Sequence, residues 1–319
     1  MKMNDDMPFD DTHAFHGHGH TYAGKQEAAL LAHAWRLIRD ADALLIAAGA
    51  GLGVESGLPD FRGPQGFWRH YPALAAVGLN LREVATPAAL LRQPEEVWGF
   101  YGHRLRQYRT TQPNPGFSHM RRWGEAKPQG WAVFTSNIDG QFQKAGFHQD
   151  DGPIQECHGT LHFLQCARPC SDLIWPANGF EPQVDEARCR LLGPLPRCPR
   201  CGSLARPNVT MFDDLQWLDH RTQAQADALR AWRQALPRAG VVLEIGAGTA
   251  IPTVRAFSEG RVHEGWSLVR VNPEVQSLRT PRTVHLPMRA GAFFQAMTAI
   301  EASNGTHNGT HERPAPWTR

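Results

Sequence analysis

Four short runs of apolar residues are the clearest pattern along the chain. They lie at Ala43–Ala48, Trp131–Thr135, Val241–Ile245 and Ser267–Val271. Each run is apolar at nearly every position instead of alternating, which is typical of a strand that is covered on both faces of a sheet. Helical periodicity separates the runs, for example at Lys25–Arg39 and Glu95–Tyr108. The pattern predicts an α/β protein with a Rossmann-like, doubly wound parallel sheet.

Glycine or a small polar residue follows each of the four runs. The sequence GAG comes after the first and the third run, Ser after the second and Asn after the fourth. Open α/β sheets bind their ligands at the carboxyl ends of their strands. We therefore expect the chemistry of this protein at that edge of the sheet.

Two segments interrupt the order of strands and helices. Residues 64–127 are too long for a simple crossover between strands, and they predict an inserted helical segment. Residues 163–206 are rich in Cys, Pro and Arg and show little periodicity, which predicts a small module held together by a metal. The remaining stretches predict the Rossmann-like core, at about residues 25–63, 128–162 and 207–300.

The two ends of the chain and its composition indicate the broad class of protein to which it belongs. Residues 1–24 are acidic and then rich in His and Gly, and residues 301–319 are polar, so both are predicted to be disordered tails of one domain at 25–300. With 41% apolar residues, 20% charged residues and a formal net charge of +2, the chain is typical of a globular protein and gives no support to nucleic-acid binding. The acidic start and the short apolar runs predict neither a secretory signal nor a membrane span, and hence a cytoplasmic protein.

The six cysteines are clustered in one part of the sequence. Without a secretory signal a disulfide framework is not expected, so the clustering favours metal binding. Two closely spaced pairs, Cys-x3-Cys and Cys-x2-Cys, offer four thiolates, which suit a closed, tetrahedral structural zinc site. The four are Cys166, Cys170, Cys198 and Cys201. Cys189 stays an alternative ligand, and Cys157 is interpreted as a buried residue at a strand end.

The sequence GAGLGVESGLPDFRG begins at Gly49, directly after the first predicted strand. It departs from the dinucleotide fingerprint G-x-G-x-x-G because Val54 occupies the sixth position and no second strand with an acidic end follows. Gly49 and Gly51 permit the close approach of a diphosphate, but a plain tight turn explains them equally well. An ordinary nucleotide loop has no need of the residues at Asp60–Arg62.

A second glycine sequence, VLEIGAG at Val242–Gly248, resembles the first motif of methyltransferases that use S-adenosylmethionine. Such a motif opens its domain, whereas only about 70 residues follow it here. Asn272 also stands where an acidic ribose ligand is expected. A methyltransferase is therefore disfavoured.

Taken together, the motifs resemble the sirtuins, a family of NAD-dependent deacylases. The stretch that begins at Gly49 resembles the family's signature, and further matches follow in the family's order over about residues 25 to 295. They are Thr135–Asp139 (TSNID), His158–Gly159, the four paired cysteines, Arg206–Val209, Gly246–Pro252 and Asn272.

The resemblance implies an activity and a set of site residues. Sirtuins move an acyl group from a protein lysine to the ADP-ribose part of NAD and release nicotinamide. His158 is implied as the catalytic base, for which imidazole has a suitable pKa, and Asn137 and Asp139 are implied as catalytic residues that position nicotinamide and ribose. A structural zinc ion is implied at the four paired cysteines. The implied NAD contacts are Gly49, Ala50, Gly51, Asp60, Phe61, Arg62, Ser136, Asn137, Asp139, Gly246, Ala247, Gly248 and Asn272.

The helical segment contains a further resemblance. Tyr101 and Arg104 share a face of a predicted helix, and with flanking Ala85–Pro87 and Pro113–Asn114 they resemble the Tyr-x-x-Arg pair of desuccinylase and demalonylase sirtuins. That pair receives the carboxylate of the acyl group, since a guanidinium forks onto a carboxylate and a phenol adds a third donor. The alternative is a half-buried tyrosine and a surface arginine on an amphipathic helix. The other implied substrate contacts are Val209 and Phe212.

Three positions depart from the family pattern. Gly53 stands where serine is common, Ser136 replaces a glutamine, and Phe212–Asp214 reads Phe-Asp-Asp in place of Phe-Gly-Glu. The first two departures alter the cofactor pocket, and the third puts the docking of a peptide strand in question. An NAD-consuming ADP-ribosyltransferase or NAD glycohydrolase, and a catalytically weak NAD-binding sensor, therefore stay open. Retention of His158 favours the deacylase, with an acyl-lysine protein as partner, and the oligomeric state is not predicted.

Overall fold

The computed structural model describes residues 18–59, 63–76, 78–274 and 280–305, which form eleven strands and twelve helices. The strands are β1 Leu44–Ala48, β2 Trp131–Thr135, β3 Ile154–Glu156, β4 Gly159–Cys166, β5 Ile174–Pro176, β6 Gln183–Asp185, β7 Arg190–Leu192, β8 Ala205–Val209, β9 Val241–Ile245, β10 Ser267–Val271 and β11 Thr283–Leu286. The helices are α1 His18–Asp40, α2 Gly51–Val54, α3 Gly63–His70, α4 Pro72–Ala76, α5 Leu81–Val84, α6 Pro87–Arg92, α7 Pro94–Thr110, α8 Pro115–Glu125, α9 Gln141–Lys144, α10 His220–Ala235, α11 Thr253–His263 and α12 Ala290–Gly305.

A parallel sheet of six strands forms the centre of the molecule. Its strands lie in the order β11-β10-β9-β1-β2-β3. β2 and β3, the next strands along the chain, lie on one side of β1 in the sheet. β9, which comes later, pairs with the other side of β1. The carboxyl ends of β1 and β9 therefore flank the switch point, which is where open α/β sheets bind their ligands. The predicted α/β class and doubly wound sheet are confirmed, and all four predicted strands are present.

Different helices cover the two faces of this sheet. Successive residues of a strand point to opposite faces. Leu44 and Ile46 of β1 pack in a core with α1, α8 and α12, whereas Leu45 and Ala47 pack in a core with α10 and α11. Every residue of β1 is buried as a result, and this is why its sequence is continuously apolar.

The helical segment and the cysteine-rich module share a further core beside the sheet. Buried side chains of α3 to α7 pack with side chains of β4, β7 and β8. The module itself consists of an antiparallel sheet in the order β5-β4-β8 and a hairpin of β6 and β7. The two predicted insertions thus form one packed unit.

The helical insertion ends earlier than the sequence predicts. α8 lies inside the predicted range 64–127, yet Phe117 and Met120 of this helix pack against the central sheet. α8 is therefore the crossover helix between β1 and β2, and it belongs to the Rossmann-like core. The sequence does not distinguish α8 from the inserted helices, because an amphipathic helix shows the same apolar periodicity whichever core it packs against.

Helices extend into both of the ranges that were predicted as tails. α1 begins at His18 and α12 continues to Gly305. The last turns of α12 are fixed by Glu301, which accepts hydrogen bonds from Trp123 Nε1 over 2.5 Å and from Arg122 Nη2 over 2.8 Å. Residues 1–17 and 306–319 lie outside the described residues. Among the helices that the structure describes, none is both long and apolar enough to cross a membrane.

Candidate active site

Two glycine loops meet at the switch point of the sheet, one after β1 and one after β9. A Cβ atom on Gly49 would lie 2.7 Å from the carbonyl oxygen of Gly246, and a Cβ atom on Gly51 would lie 2.8 Å from the Cα atom of Gly246. Gly246 itself has a φ of +65°, a left-handed value that favours glycine. Ala50 and Gly248 are exposed. The packing of one loop on the other therefore requires the glycines, whether or not a ligand is bound.

A small cavity of about 120 Å³ opens between these loops and the end of β10. Its lining includes Gly51, Gly246 and the cation Arg289. The N–H groups of Gly51 and Gly246 already donate to the carbonyl oxygens of Gly246 and Val271, and Glu55 also lines the cavity. Arg289 is the group in this lining that fits the diphosphate of NAD, because a guanidinium binds phosphate through charged hydrogen bonds.

Asn272 holds the second glycine loop in place. It is buried directly after β10, and its Nδ2 donates a hydrogen bond to the carbonyl oxygen of Ala247 over 2.6 Å. Its Oδ1 accepts the N–H of Glu274 over 2.9 Å. Arg255 Nε also donates to the carbonyl oxygen of Ala247, over 3.2 Å. The predicted NAD contacts Ala247 and Asn272 are thus bonded to each other.

The loop after β2 is bonded to the first glycine loop. The hydroxyl of Thr135 donates to the carbonyl oxygen of Ala48 over 3.0 Å and accepts the N–H of Asn137 over 3.0 Å. The side-chain amide of Asn137 donates to the carbonyl oxygen of Gly49 over 3.1 Å. Ser136 bonds through its backbone N–H to Ala48 over 3.2 Å, so the change from glutamine to serine leaves this junction intact.

Asp139 is buried in the same loop. Its Oδ1 accepts the N–H of Gln141 over 2.9 Å, and its carbonyl oxygen accepts a hydrogen bond from His162 Nε2 over 2.9 Å. Burial raises the pKa of Asp139 to about 6. This carboxyl group therefore changes its protonation near neutral pH, as carboxyl groups of active sites often do.

His158 lies between the end of β2 and the end of β8. The N–H of the preceding residue, Cys157, donates to the carbonyl oxygen of Thr135 over 2.9 Å, and the carbonyl oxygen of His158 accepts the N–H of Thr210 over 3.0 Å. Burial lowers the pKa of His158, while a hydrogen bond with the backbone of Ser136 raises it in part. The imidazole is consequently unprotonated at neutral pH, the state in which it can accept a proton.

The loop after β8 accommodates the departure from Phe-Gly-Glu. Val209 is buried and pairs with Gly159 next to His158. The N–H of Phe212 donates to the carbonyl oxygen of Ala85 over 2.9 Å. Asp213 has a φ of 54°, which lies in the left-handed region that glycine adopts and that aspartate tolerates.

The buried side chain of Asp214 holds this loop in place. Arg206 Nη1 donates to Asp214 Oδ1 over 2.9 Å and Arg206 Nη2 donates to Oδ2, and both side chains are buried. The N–H groups of Met211 and Gln216 donate to the same carboxylate over 3.1 and 3.0 Å. The shorter acid at this position thus still reaches its arginine and two backbone groups.

The predicted substrate pair lies on α7. Tyr101 is buried, and burial raises its pKa to about 12. Arg104 is half-buried with its guanidinium 5.2 Å from the centre of the Phe100 ring. Arg104 Nε donates to the hydroxyl of Tyr108 over 2.8 Å, and Nη2 donates to the same oxygen. Arg104 is therefore held by Phe100 and Tyr108 of its own helix and is not a solvated surface side chain.

The four paired cysteines come together in the cysteine-rich module. The Sγ atoms of Cys166 and Cys201 are 3.7 Å apart, those of Cys170 and Cys198 are 3.7 Å apart, and all four lie within 4.8 Å of one another. Zn–S bonds of about 2.3 Å in a tetrahedron place sulfur atoms about 3.8 Å apart. The geometry fits a structural zinc ion with all four positions filled by protein. Cys189 is not a member of this group, because it is buried against α7.

Three residues bear on the site through contacts that no motif in the sequence predicts. Gln141 and His162 hold Asp139 through its carboxylate and its carbonyl group. Asn114 is buried, and its Nδ2 donates to the carbonyl oxygen of Leu52, so it fixes the short helix of the first glycine loop. Asp60, Phe61 and Arg62, the predicted contacts at the reacting end of NAD, lie outside the described residues.

Residues 49–250 match the model of the family described as Sir2 family. The chain belongs to the Sir2 family. The matched range contains the first glycine loop, the loop after β2, His158, the four paired cysteines and most of the second glycine loop. The resemblance seen in the motifs is thereby confirmed.

Relatives are similar to this chain over most of their length. The NAD-dependent protein deacylase of Thermococcus kodakarensis is 32% identical over 270 residues, which cover 82% of this chain and 92% of the relative. The NAD-dependent protein deacylase 1 of Archaeoglobus fulgidus is 28% identical over 265 residues, which cover 82% and 94%.

Solved structures of the Sir2 family have the same fold. A Sir2 homologue in complex with NAD is similar with a TM-score of 0.64 and 22% identity, over 85% of this chain and 94% of that chain. A mutant Sir2 homologue in complex with 2′-O-acetyl ADP-ribose is similar with a TM-score of 0.62 and 25% identity, over 85% and 96%. The six-stranded sheet and the module beside it are therefore the Sir2 fold.

Proposed function

We propose that this Sir2-family chain is an NAD-dependent protein deacylase, which removes acyl groups from lysine side chains and yields nicotinamide and O-acyl-ADP-ribose. The junction of Asn137 with Gly49 carries the proposal. It joins the two loops that the reaction needs, one beside the phosphate-binding cavity and one leading to Asp139. The N–H of Cys157, the residue before His158, donates to the carbonyl oxygen of Thr135 at the end of β2. The names of the relatives support the same activity.

The residues have separate tasks in this proposal. Bound NAD supplies the ribose carbon that takes the acyl oxygen as nicotinamide leaves. The glycine loops and Arg289 hold the diphosphate, and Asn137 and Asp139 orient the nicotinamide and ribose end. His158 then accepts the proton of a ribose hydroxyl, for which its neutral imidazole is ready at physiological pH. The zinc ion maintains the module and takes no part in the reaction.

Replacement of His158 tests the proposal. His158→Asn should abolish formation of O-acyl-ADP-ribose, while the Kd for NAD measured by calorimetry stays within about threefold, because a base acts on the reaction and not on cofactor binding. His148→Asn is the matched control, since His148 is exposed in the turn after α9. Product formation above about a tenth of the wild-type rate in His158→Asn would contradict the assignment of the base.

We also propose that the enzyme prefers acyl groups that end in a carboxylate, such as succinyl or malonyl. Tyr101 and Arg104 are the proposed receptor, and the ordered guanidinium of Arg104 supports that role. Arg104→Met should raise KM for a succinyl-lysine peptide by about tenfold or more and leave that for an acetyl-lysine peptide within about twofold. A wild-type enzyme that prefers acetyl-lysine would show that the pair is structural.

The substrate partner in this proposal is an acylated protein, whose lysine enters beside the loop after β8. Val209 and Phe212 are the proposed contacts of the acyl-lysine, because they lie on either side of Thr210, which is bonded to His158. The location that we propose for the enzyme is the cytoplasm, as its sequence predicts.

A further inference from the structure

His162 of β4 joins the strand that follows the proposed base to the loop that carries Asp139. Its Nε2 donates a hydrogen bond to the carbonyl oxygen of Asp139 over 2.9 Å. The backbone N–H of the preceding residue, Leu161, donates to the carbonyl oxygen of Ile138 over 3.1 Å. Two successive carbonyl groups of the loop after β2 are therefore held by β4, which begins directly after His158.

The imidazole of His162 also packs against the backbone at this point. Gly140, which follows Asp139, has a φ of +69°, a left-handed value that favours glycine. A Cβ atom on Gly140 would lie 2.7 Å from Cδ2 and 2.7 Å from Nε2 of His162. Because glycine has no side chain, the ring can approach closely enough to reach the carbonyl group of Asp139.

The backbone that His162 holds sets the direction of the Asp139 side chain. Asp139 Oδ1 accepts the N–H of Gln141 over 2.9 Å. The carbonyl group of Asp139 and the N–H of Gln141 belong to the two peptide groups on either side of Gly140. A rotation of the Asp139 carbonyl group away from His162 would therefore move the N–H that holds the carboxyl group.

His162 makes this contact as an uncharged donor. Burial lowers the pKa of His162 and outweighs the hydrogen bond to Asp139 and the charge of Glu156, which raise it, while Arg109 and Lys144 lower it further. A carbonyl oxygen can only accept, so the neutral imidazole carries its proton on Nε2. A charged donor at this place would favour the ionised carboxylate and lower the pKa of Asp139, which burial raises to about 6. A neutral imidazole holds Asp139 without that effect.

From these contacts, and resting on the proposed deacylase activity, we propose that His162 is a positioning residue of the reaction. It fixes the backbone of Asp139 so that the carboxyl group keeps the direction in which it orients the nicotinamide and ribose end of NAD. The described lining of the cavity between the glycine loops does not include His162. Loss of its hydrogen bond should therefore lower kcat without weakening the binding of NAD.

The test compares two replacements of His162 that differ in hydrogen bonding. His162→Phe keeps an aromatic ring and removes the donor, whereas His162→Gln keeps an uncharged N–H donor. With NAD and either an acetyl-lysine or a succinyl-lysine peptide, we expect kcat for formation of O-acyl-ADP-ribose to fall about tenfold in His162→Phe, with the KM values for NAD and peptide within about twofold. In His162→Gln kcat should stay within about threefold of wild type. His148→Phe, the same change at an exposed histidine, is the control and should alter no constant by more than about twofold.

Hydrogen–deuterium exchange measured by mass spectrometry tests the positioning without turnover. The amide of Gln141 should exchange about tenfold faster in His162→Phe than in wild type or His162→Gln, because its acceptor on Asp139 is no longer held in place. Unchanged exchange in His162→Phe would overturn the hold of His162 on Asp139. A wild type that forms no O-acyl-ADP-ribose would instead overturn the proposed function, so the two failures are distinguishable.

The kinetic constants give three further outcomes that contradict the inference. An equal loss of kcat in both variants would show that the imidazole ring is needed for packing and not as a donor. A wild-type kcat in His162→Phe would remove the role of His162 in the reaction. A raised KM for NAD with kcat unchanged would place its effect in cofactor binding instead of in the orientation of the reacting groups.

Discussion

A Cβ atom on Gly99 of α7 would lie 2.2 Å from the carbonyl oxygen of Cys189, in the turn between β6 and β7. Cys189 adopts a left-handed φ of 49° at this contact. An ion pair of 2.7 Å between Arg190 and Glu96 lies beside it. The helix that carries the proposed carboxylate receptor is thus packed backbone to backbone against the hairpin of the cysteine-rich module.

This contact predicts that a methyl group on Gly99 is costly. Gly99→Ala places the new atom against backbone, which cannot rotate away, so we expect the free energy of unfolding to fall by about 1–3 kcal/mol. Gly260→Ala in α11 is the control, because a Cβ atom there has no neighbour within 4 Å and should raise the free energy of unfolding by about 0.5–1 kcal/mol. Urea denaturation measures both, and equal effects of the two changes would refute the contact.

The cysteine cluster predicts one zinc ion per chain. Cys198→Ser should lose the metal and destabilise the module, because structural zinc contributes directly to folding. Cys189→Ser should keep the metal in full, since this residue lies outside the group of four. Elemental analysis of the purified variants decides the matter, and loss of zinc from Cys189→Ser or retention in Cys198→Ser would show a different ligand set.

The loop after β8 predicts opposite effects at two neighbouring aspartates. Asp213→Gly should raise the free energy of unfolding by about 0.5–1 kcal/mol, because glycine adopts a left-handed φ without a steric penalty. Asp214→Asn should lower it by about 3 kcal/mol, because Arg206 would keep its buried charge without a charged partner. Thermal unfolding measures both variants, and a destabilised Asp213→Gly would mean that the side chain of Asp213 has a role of its own.

The buried carboxyl group of Asp139 predicts that the free energy of unfolding depends on pH. Its pKa is raised from an ordinary value of 3.8 to about 6 in the folded protein, so between these values the folded state binds more protons than the unfolded state. The free energy of unfolding therefore falls as pH rises through this window, and the full loss is reached above about pH 6. Asp139→Asn removes the charge and keeps an oxygen for the N–H of Gln141, so we expect it to raise the free energy of unfolding by about 1–3 kcal/mol at pH 7.5 and to slow turnover.

At pH 4 the stability difference between Asp139→Asn and wild type should vanish. Asp150→Asn is the control, because Asp150 is exposed and its replacement should change stability by less than about 0.5 kcal/mol at either pH. Urea denaturation at the two pH values checks the prediction. A destabilised Asp139→Asn at pH 7.5 would show that the carboxylate is needed in its ionised form for folding.

The central strands could be predicted because each is buried on both faces. β1, β2, β9 and β10 lie inside the sheet, so their sequences are apolar at nearly every position, and the charged exceptions Glu244 and Arg270 form a buried ion pair with each other. β3 and β11 lie at the two edges, are three and four residues long, and include half-buried positions such as Gln155 and His285. Strands of this kind carry too little apolar pattern to be separated from a loop.

Residues of the site could be predicted where their chemistry is local in the sequence. The paired cysteines are recognisable from residue type and spacing, whereas His158 is recognisable only through the resemblance of its motif to the sirtuins. Gln141 and His162 are joined to Asp139 by hydrogen bonds. Such roles depend on how the chain folds and on which groups are buried. The contact between the glycines after β1 and the loop after β9 could not be predicted either, because it joins residues about 200 positions apart.

The central claim is that acyl transfer to NAD takes place at the junction of the glycine loops with the loop after β2. Mass spectrometry of the products tests it most directly, with wild-type protein, NAD and a pair of peptides that carry acetyl-lysine and succinyl-lysine. The account predicts equal molar amounts of nicotinamide, deacylated peptide and O-acyl-ADP-ribose. Release of nicotinamide with free ADP-ribose and intact acyl-peptide, or with ADP-ribose attached to protein, would contradict it.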